Sequence, residues 1–193
     1  QFFESAVLTA GKDVQATYLL NCQLKANGKL LVEGRKGVII GGKTCAKLGI
    51  SCNGIGNIAE IATVVSVGID KEDMTAYQEL QKKIEQTQAE LQTCENGLNK
   101  LMANPVHDEK VSMMIQRLTR AVYTLKSSRK ELFSERNAQM EQMTKQKEAR
   151  IQVSGRAYPG TLLFLNEDPF AIKEIYNNVE FVKHDNRIDT LAH

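Results

Sequence analysis

Residues 71–103, KEDMTAYQELQKKIEQTQAELQTCENGLNKLMA, carry apolar or small side chains at Tyr77, Leu80, Ile84, Thr87, Leu91, Cys94, Leu98 and Leu101. That unbroken alternation of three and four is the period of a coiled-coil seam. So narrow a stripe needs a partner, and residues 108–150 supply one. Val111, Ile115, Leu118, Val122, Leu125 and Leu132 keep the same alternation, which continues through Arg129, Arg136, Gln139 and Met143. Between the two lies Ala103-Asn104-Pro105-Val106-His107-Asp108. Proline cannot extend a helix and disfavours helical geometry at Asn104, while Asp108 can accept from the free amides of a new first turn. The pattern predicts an antiparallel helical hairpin over residues 70–150, opened by Asp70 as cap, with Asp73 three positions on. Its arms would be about 50 and 60 Å long at 1.5 Å per residue. Gly97 costs the first arm on the order of 1 kcal/mol relative to alanine and softens the tip. Arg129 and Arg136 break the apolar seam: either they snorkel to water or they mark where it opens to a partner.

The two arms carry opposite charge excesses, which favours their pairing. Residues 71–103 hold four basic and six acidic side chains, whereas residues 108–150 hold ten and six. Over the whole 193 residues, 25 basic against 23 acidic side chains leave +2, so charge supplies no argument for nucleic acid. No apolar run approaches the roughly 20 residues a membrane-spanning helix needs, and Gln1-Phe2-Phe3-Glu4 lacks the basic and apolar parts of a leader. The expectation is a soluble fragment of a longer chain.

Outside the hairpin the period changes. Residues 5–69 are punctuated by ten glycines, and between them stand Val7-x-Thr9, Val14-x-Ala16, Leu20-x-Cys22-x-Leu24, Leu30-x-Val32, Val38-x-Ile40 and Ile50-x-Cys52. Each places small or branched side chains on one face of a short strand. A β-sandwich usually wants longer strands and more aromatic residues. Short strands, turn glycines and stacked Val, Ile, Leu, Cys and Thr favour a parallel β-helix, although the repeat is too ragged for periodicity alone to choose between the two. Roughly 17 to 22 residues per coil, a working value for solenoids, would give three or four coils. Residues 62–69 form the last strand before the hairpin. Ile151-x-Val153, Leu162-x-Phe164, Phe170-x-Ile172 and Val179-x-Phe181 resume the strand pattern after it. The ends of a helical hairpin lie about 10 Å apart, so the hairpin is an insertion and residues 151–193 return to the body begun by residues 1–69. They complete and cap it, and a polar tail is expected from Lys183 onward.

Candidate chemistry is sparse. Gly37-Val38-Ile39-Ile40-Gly41-Gly42-Lys43-Thr44 satisfies the phosphate-loop pattern, and with a coiled coil it suggests a small ATPase as an alternative. The loop's amides work at the start of a helix, yet the residues after Thr44 alternate like a strand and include Gly49. The three histidines, at 107, 184 and 193, have no cysteine or carboxylate at ligand spacing. Cys22, Cys45, Cys52 and Cys94 contain no C-x-x-C pair and read as small buried hydrophobes. No catalytic, cofactor-binding or metal-binding residue is assigned, and no enzyme is expected. The one candidate site is a second apolar set on the hairpin, Met113, Phe133 and Met140, which lies off the seam and could bind protein or pair two copies.

Gly37-x-Ile39-Ile40-Gly41-Gly42, then Gly54-x-Gly56-Asn57, Thr63-x-Val65-x-Val67-Gly68-Ile69-Asp70, the hairpin, Ile151-x-Val153 and Tyr158-Pro159-Gly160 together resemble the flagellar assembly protein A family, in order and over nearly the whole chain. The resemblance implies an α+β fold: a right-handed parallel β-helix with an inserted antiparallel coiled coil, and a further N-terminal domain that this chain lacks. It implies a bacterial cytoplasmic protein connected with flagellar assembly or its placement at the cell pole, without catalytic residues. The expected function is a scaffold that binds a regulatory or flagellar protein through the coiled coil or the β-helix flank. A self-assembling solenoid is the structural alternative.

Overall fold

Short strands separated by tight corners can satisfy their backbone groups only on neighbouring coils, and outside the helices the chain is organised this way. A computed structural model describes residues 2–103, 108–185 and 187–192. The first strands are β1 (Phe2–Glu4), β2 (Val7–Ala10), β3 (Val14–Ala16), β4 (Tyr18–Ala26) and β5 (Leu30–Val32). They are followed by β6 (Val38–Ala46), β7 (Ile50–Ile55) and β8 (Thr63–Val67). Two helices, α1 (Lys71–Met102) and α2 (Glu109–Lys147), precede β9 (Ile151–Ala157), β10 (Thr161–Leu165), β11 (Asp168–Ala171), β12 (Tyr176–His184) and β13 (Arg187–Ala192).

Parallel pairing from coil to coil builds three walls. On the first, residues 2–4, 18–20, 38–40, 54–55 and 156–157 stack in turn. The second stacks β2, the latter part of β4, the latter part of β6, β8 and β10. The third stacks β3, β5 and the starts of β7 and β9. The mixed α+β solenoid expected from the sequence is therefore present, with the hairpin inserted in it. Stacked partners are 16 residues apart where Phe2 meets Tyr18, and 20 apart where Tyr18 meets Val38.

The inserted position is fixed by register. Second-wall strands end at the stacked residues Ala26, Ala46 and Val67, and the next third-wall strands begin at Leu30, Ile50 and Ile151. Residues 27–29 and 47–49 turn that corner in the first two instances, and residues 68–150 fill it in the third.

Inward side chains form ladders along the stack. Leu24, Thr44, Val65 and Leu163 make one; Val32, Cys52 and Val153 another; Leu19, Ile39, Ile55 and Ala157 a third, and all are buried. Each side chain meets its like above and below, so the interior suits branched and small residues over large aromatic ones. Antiparallel strands β11, β12 and β13 end the stack. Here Phe181 is fully buried, with the rings of Phe170 and Tyr176 5.6 and 5.7 Å away.

Four readings of strand detail change. In β2 Val7 and Thr9 are exposed, and Leu8, stacked on the buried Leu24, is the residue packed against the core. Leu20 does not share the inner face with Cys22 and Leu24, because Asn21 adopts a left-handed backbone (φ 50°) and shifts the alternation, so that Leu19 points in. Gly41 and Gly42 (φ 69° and 73°) do the same in β6, leaving Ile39 inside and Val38 and Ile40 outside. In β10 the inward residues are Thr161, Leu163 and Leu165, and Leu162 and Phe164 face outward. The expected polar tail is also corrected: residues 176–184 and 187–192 form an antiparallel pair. Polar and exposed residues dominate β13, which hides an edge strand from a hydrophobicity reading.

Contacts divide the chain into a unit of Gln1–Lys71 with Gln142–His193 and a unit of Glu72–Glu141. In the second unit the expected seam is the shielded face. Leu80, Ile84, Leu91 and Val122 are buried, while Thr87, Cys94, Leu98, Ile115, Leu118 and Leu125 are half-buried. The arms run antiparallel: Lys126 Nζ lies 2.8 Å from Glu95 Oε1, and Arg129 Nη1 donates to Gln88 Oε1 at 2.9 Å. Asp108 Oδ1 accepts from the Val111 amide at 2.8 Å, as expected of a cap. The reversal itself, with Pro105 and His107, lies outside the described residues.

Two contrasting glycines test this architecture. A Cβ on Gly42 would sit 2.2 Å from the Cys22 carbonyl oxygen at φ 73°, so Gly42→Ala is expected to cost at least about 2 kcal/mol in urea unfolding. At Gly97 the nearest atom would be Leu118 Cδ1 at 3.7 Å, and Gly97→Ala is expected to raise helical stability by about 1 kcal/mol, followed at 222 nm. Burial also pushes the Cys52 thiol up to about 12 from 9.0, against a smaller opposing effect of its hydrogen bond with the Gly54 backbone. The folded protein then holds this proton more tightly than the unfolded chain, so stability is full below pH 9 and declines above it. Relative to Cys52→Val, the native protein should lose about 1.4 kcal/mol per pH unit above 9, measured by urea unfolding at pH 8 to 10.5.

Candidate functional site

The phosphate-loop motif dissolves once its backbone is placed. Residues 38–46 are one strand, so no helix N-terminus faces a phosphate. The Gly41 amide donates to Thr63 Oγ1 at 2.9 Å, and that hydroxyl donates to the Ile61 carbonyl at 2.8 Å, so the amide is already occupied inside the fold. Lys43 points outward, and Thr44, whose hydroxyl would have to reach a metal, is buried in the second-wall ladder. The small ATPase is thereby excluded as a reading of this segment.

Other reactive groups are dispersed. Among the described residues no three of His, Cys, Asp and Glu gather to hold a metal ion. His184 lies on β12 with Nδ1 3.1 Å from Asp189 Oδ2, and His107 and His193 are outside the described residues. Cys22 and Cys52 are buried as expected, whereas Cys45 and Cys94 are half-buried; all four are free thiols. Among the described residues no helix is long and apolar enough to cross a membrane.

What the sequence did not disclose is a clamp at the inserted corner. Asn166 Oδ1 accepts from the Ile69 amide at 2.9 Å, and its Nδ2 donates to the Lys147 carbonyl at 3.1 Å. One side chain thus ties the outgoing chain to the returning chain. Asn166 itself has φ 50°, a conformation asparagine tolerates well, in the turn between β10 and β11. Gly68 leaves room for it, since a Cβ there would stand 2.0 Å from Asn166 Oδ1. On the same unit Arg150 Nη1 lies 3.2 Å from the mostly buried carboxylate of Glu180, and Lys25 Nζ lies 3.6 Å from Asp70 Oδ2. An outward-open groove of about 850 Å³ runs along the third wall, where Gln15, Leu31, Ser51 and Gln152 stack beside Lys145, Glu148 and Arg150. A second, of about 500 Å³, lies on the outside of the second wall against Val64, Leu162 and Phe164.

The three hairpin candidates do not form one patch. Phe133 and Met140 are seven residues apart and share a flank of α2, but Met113 stands twenty residues before Phe133, about 30 Å along the axis and roughly half a turn around it. Phe133 is half-buried, with the Arg136 guanidinium 4.6 Å from its ring centre, which also explains how that seam arginine is accommodated. Met140 is 55% exposed. Met113, 50% exposed, lines a shallow pocket of about 430 Å³ with Met114, Lys110, Arg117, Leu118 and Ala121. The sequence reading missed Met114, because a search for apolar residues at a fixed spacing passes over a neighbour one position away.

Neither the curated proteins nor the solved structures compared with this chain returned a match. The comparison with protein families did: residues 1–188 match the family described as the flagellar assembly protein A β-solenoid domain. With the stacked coils and inserted hairpin already seen in the structure, that match over nearly the full length places the chain in the flagellar assembly protein A β-solenoid domain family.

Proposed function

We propose that this chain is a non-catalytic interaction scaffold in flagellar assembly, with the solenoid as its rigid body and the hairpin as the element that captures a regulatory or flagellar protein. Family membership supports the connection with flagellar assembly. The observation that carries the interaction role is the outer surface of the hairpin. Leu80, Ile84 and Leu91 already bury the seam, yet Met113, Met114, Tyr123 and Met140 remain 50, 56, 78 and 55% exposed. A two-helix arm whose seam is satisfied has no folding requirement for large apolar side chains outside it. Met113, Phe133 and Met140 are proposed contact residues, with Met113 the best placed because it lines a concavity. The proposed site of action is the bacterial cytoplasm, with placement at the cell pole as its finer form.

The test replaces residues 72–141 with a short turn in the full-length protein of the host and compares the proteins co-purified with each version. Retained β-sheet circular dichroism and unchanged thermal unfolding of the sheet would show that the solenoid survives. The expected outcome is loss of the captured flagellar or regulatory protein together with defective flagellation. Equal recovery of that protein by both versions removes the hairpin from the mechanism.

A further inference from the structure

Between Glu109 and Glu131 the second arm contains no acidic residue and six basic ones: Lys110, Arg117, Arg120, Lys126, Arg129 and Lys130. Two of these are occupied across the seam, Lys126 on Glu95 and Arg129 on Gln88. Lys110, Arg117 and Arg120 are different. No Asp or Glu lies three or four positions from any of them in the described helix, so the usual intrahelical ion pairs are missing, and all three are exposed. They also fall on one flank. Lys110 and Arg117 are seven residues apart, and the shallow pocket they border is floored by Met113, Met114, Leu118 and Ala121. The flank therefore presents uncompensated positive charge around a concave, methionine-lined apolar floor.

We propose that this flank of α2 receives an acidic amphipathic segment of a partner protein, its carboxylates on Lys110, Arg117 and Arg120 and its apolar side chains on Met113 and Met114. This rests on the reading of the hairpin as the interaction arm and specifies the chemistry of what the arm takes. Carboxylates pair well with the planar guanidinium fork of arginine. Unbranched thioether side chains adapt to apolar surfaces of differing shape, which suits a protein ligand. A phosphate backbone would use the charge and leave the methionines idle. A lipid surface favours Trp, Phe and Leu on the apolar face, and this chain has no tryptophan at all.

The experiment uses the intact chain and four fluorescent or labelled probes. They are a helical peptide with Leu at every third or fourth position and Glu elsewhere, the same peptide with Leu replaced by Ser, a single-stranded oligonucleotide, and phosphatidylglycerol vesicles. The Leu/Glu peptide is expected to bind, and the Ser peptide to bind several-fold more weakly. Arg117→Glu with Arg120→Glu should weaken binding of the Leu/Glu peptide by about tenfold or more at 150 mM salt. Met113→Ser with Met114→Ser should weaken it several-fold even at 500 mM salt. A charge-matched control, Lys173→Glu with Arg187→Glu on the solenoid unit, should leave it unchanged, and helical circular dichroism verifies that each variant is folded. Preferential binding of the oligonucleotide or vesicles, or peptide binding that responds equally to the control, overturns the proposal. The same arginine variants carried into the host co-purification separate the two levels. Capture that needs the hairpin but ignores Arg117 and Arg120 overturns the acidic segment alone, whereas capture that does not need the hairpin overturns the interaction arm itself.

Discussion

Everything in this molecule depends on parallel register between coils. A strand of three to nine residues has too little side-chain area to hold itself in place, and its amides and carbonyls must find partners one coil up and one coil down. Because Ala46 stacks on Ala26 and Val67 on Ala46, the end of each second-wall strand is at a fixed point, and the next third-wall strand must begin where Leu30, Ile50 and Ile151 stack. The chain between those points is unconstrained in length. Three residues suffice at one corner and a helical hairpin occupies the next. The Ile50 amide donates to the Arg150 carbonyl at 3.0 Å, so the returning chain resumes the ladder in its first available bond. Asn166 then holds both sides of the gap, with one hydrogen bond to Ile69 and one to Lys147. An insertion of this size leaves the stack intact because its two roots are tied together at the level of a single side chain.

Much of this was legible in residue order. The seam from Tyr77 to Leu101 has a period no strand can use, and the glycine-punctuated alternation on either side has a period no helix can use, so the inserted hairpin followed from two incompatible repeats. The strand repeat only favoured a β-helix, and the family resemblance implied it. The inward face of individual strands was less legible, for a local reason. Asn21, Gly41 and Gly42 take left-handed backbone inside strands that otherwise look continuous, and each such corner reverses which side chains point in. Alternation carried across Asn21 therefore assigned Leu20 where Leu19 belongs. In β10 both faces are apolar, Leu162 and Phe164 against Leu163 and Leu165, and alternation alone cannot choose between them. The Asn166 clamp was invisible because it links positions 97 and 19 residues away, and nothing local distinguishes it from any other turn asparagine.

The same logic explains why reactive chemistry misleads here. A solenoid places alternate residues inside, so the lysine and threonine of a phosphate-loop pattern, which a nucleotide site needs on one side of a turn, are sent to opposite faces of a strand. Cys52 is likewise an interior filler whose thiol is held protonated by burial. Information about function lies instead on outward surfaces. On the hairpin the seam consumes Leu80, Ile84, Leu91 and Val122, and two of the basic side chains of α2 are spent bridging the arms. What remains, methionines around a shallow concavity bordered by Lys110 and Arg117, stays largely exposed outside the seam. That surface is where the proposed capture of another protein would take place.

The account depends most on strands separated by the hairpin lying on one another, and isoleucine methyl groups report this directly. In a sample labelled at isoleucine methyls, Ile50 and Ile151 should show a mutual nuclear Overhauser effect, since they are stacked partners and both are buried. A folded sample in which Ile50 shows effects to other interior methyls but none to Ile151 would contradict the return of the chain to the same stack.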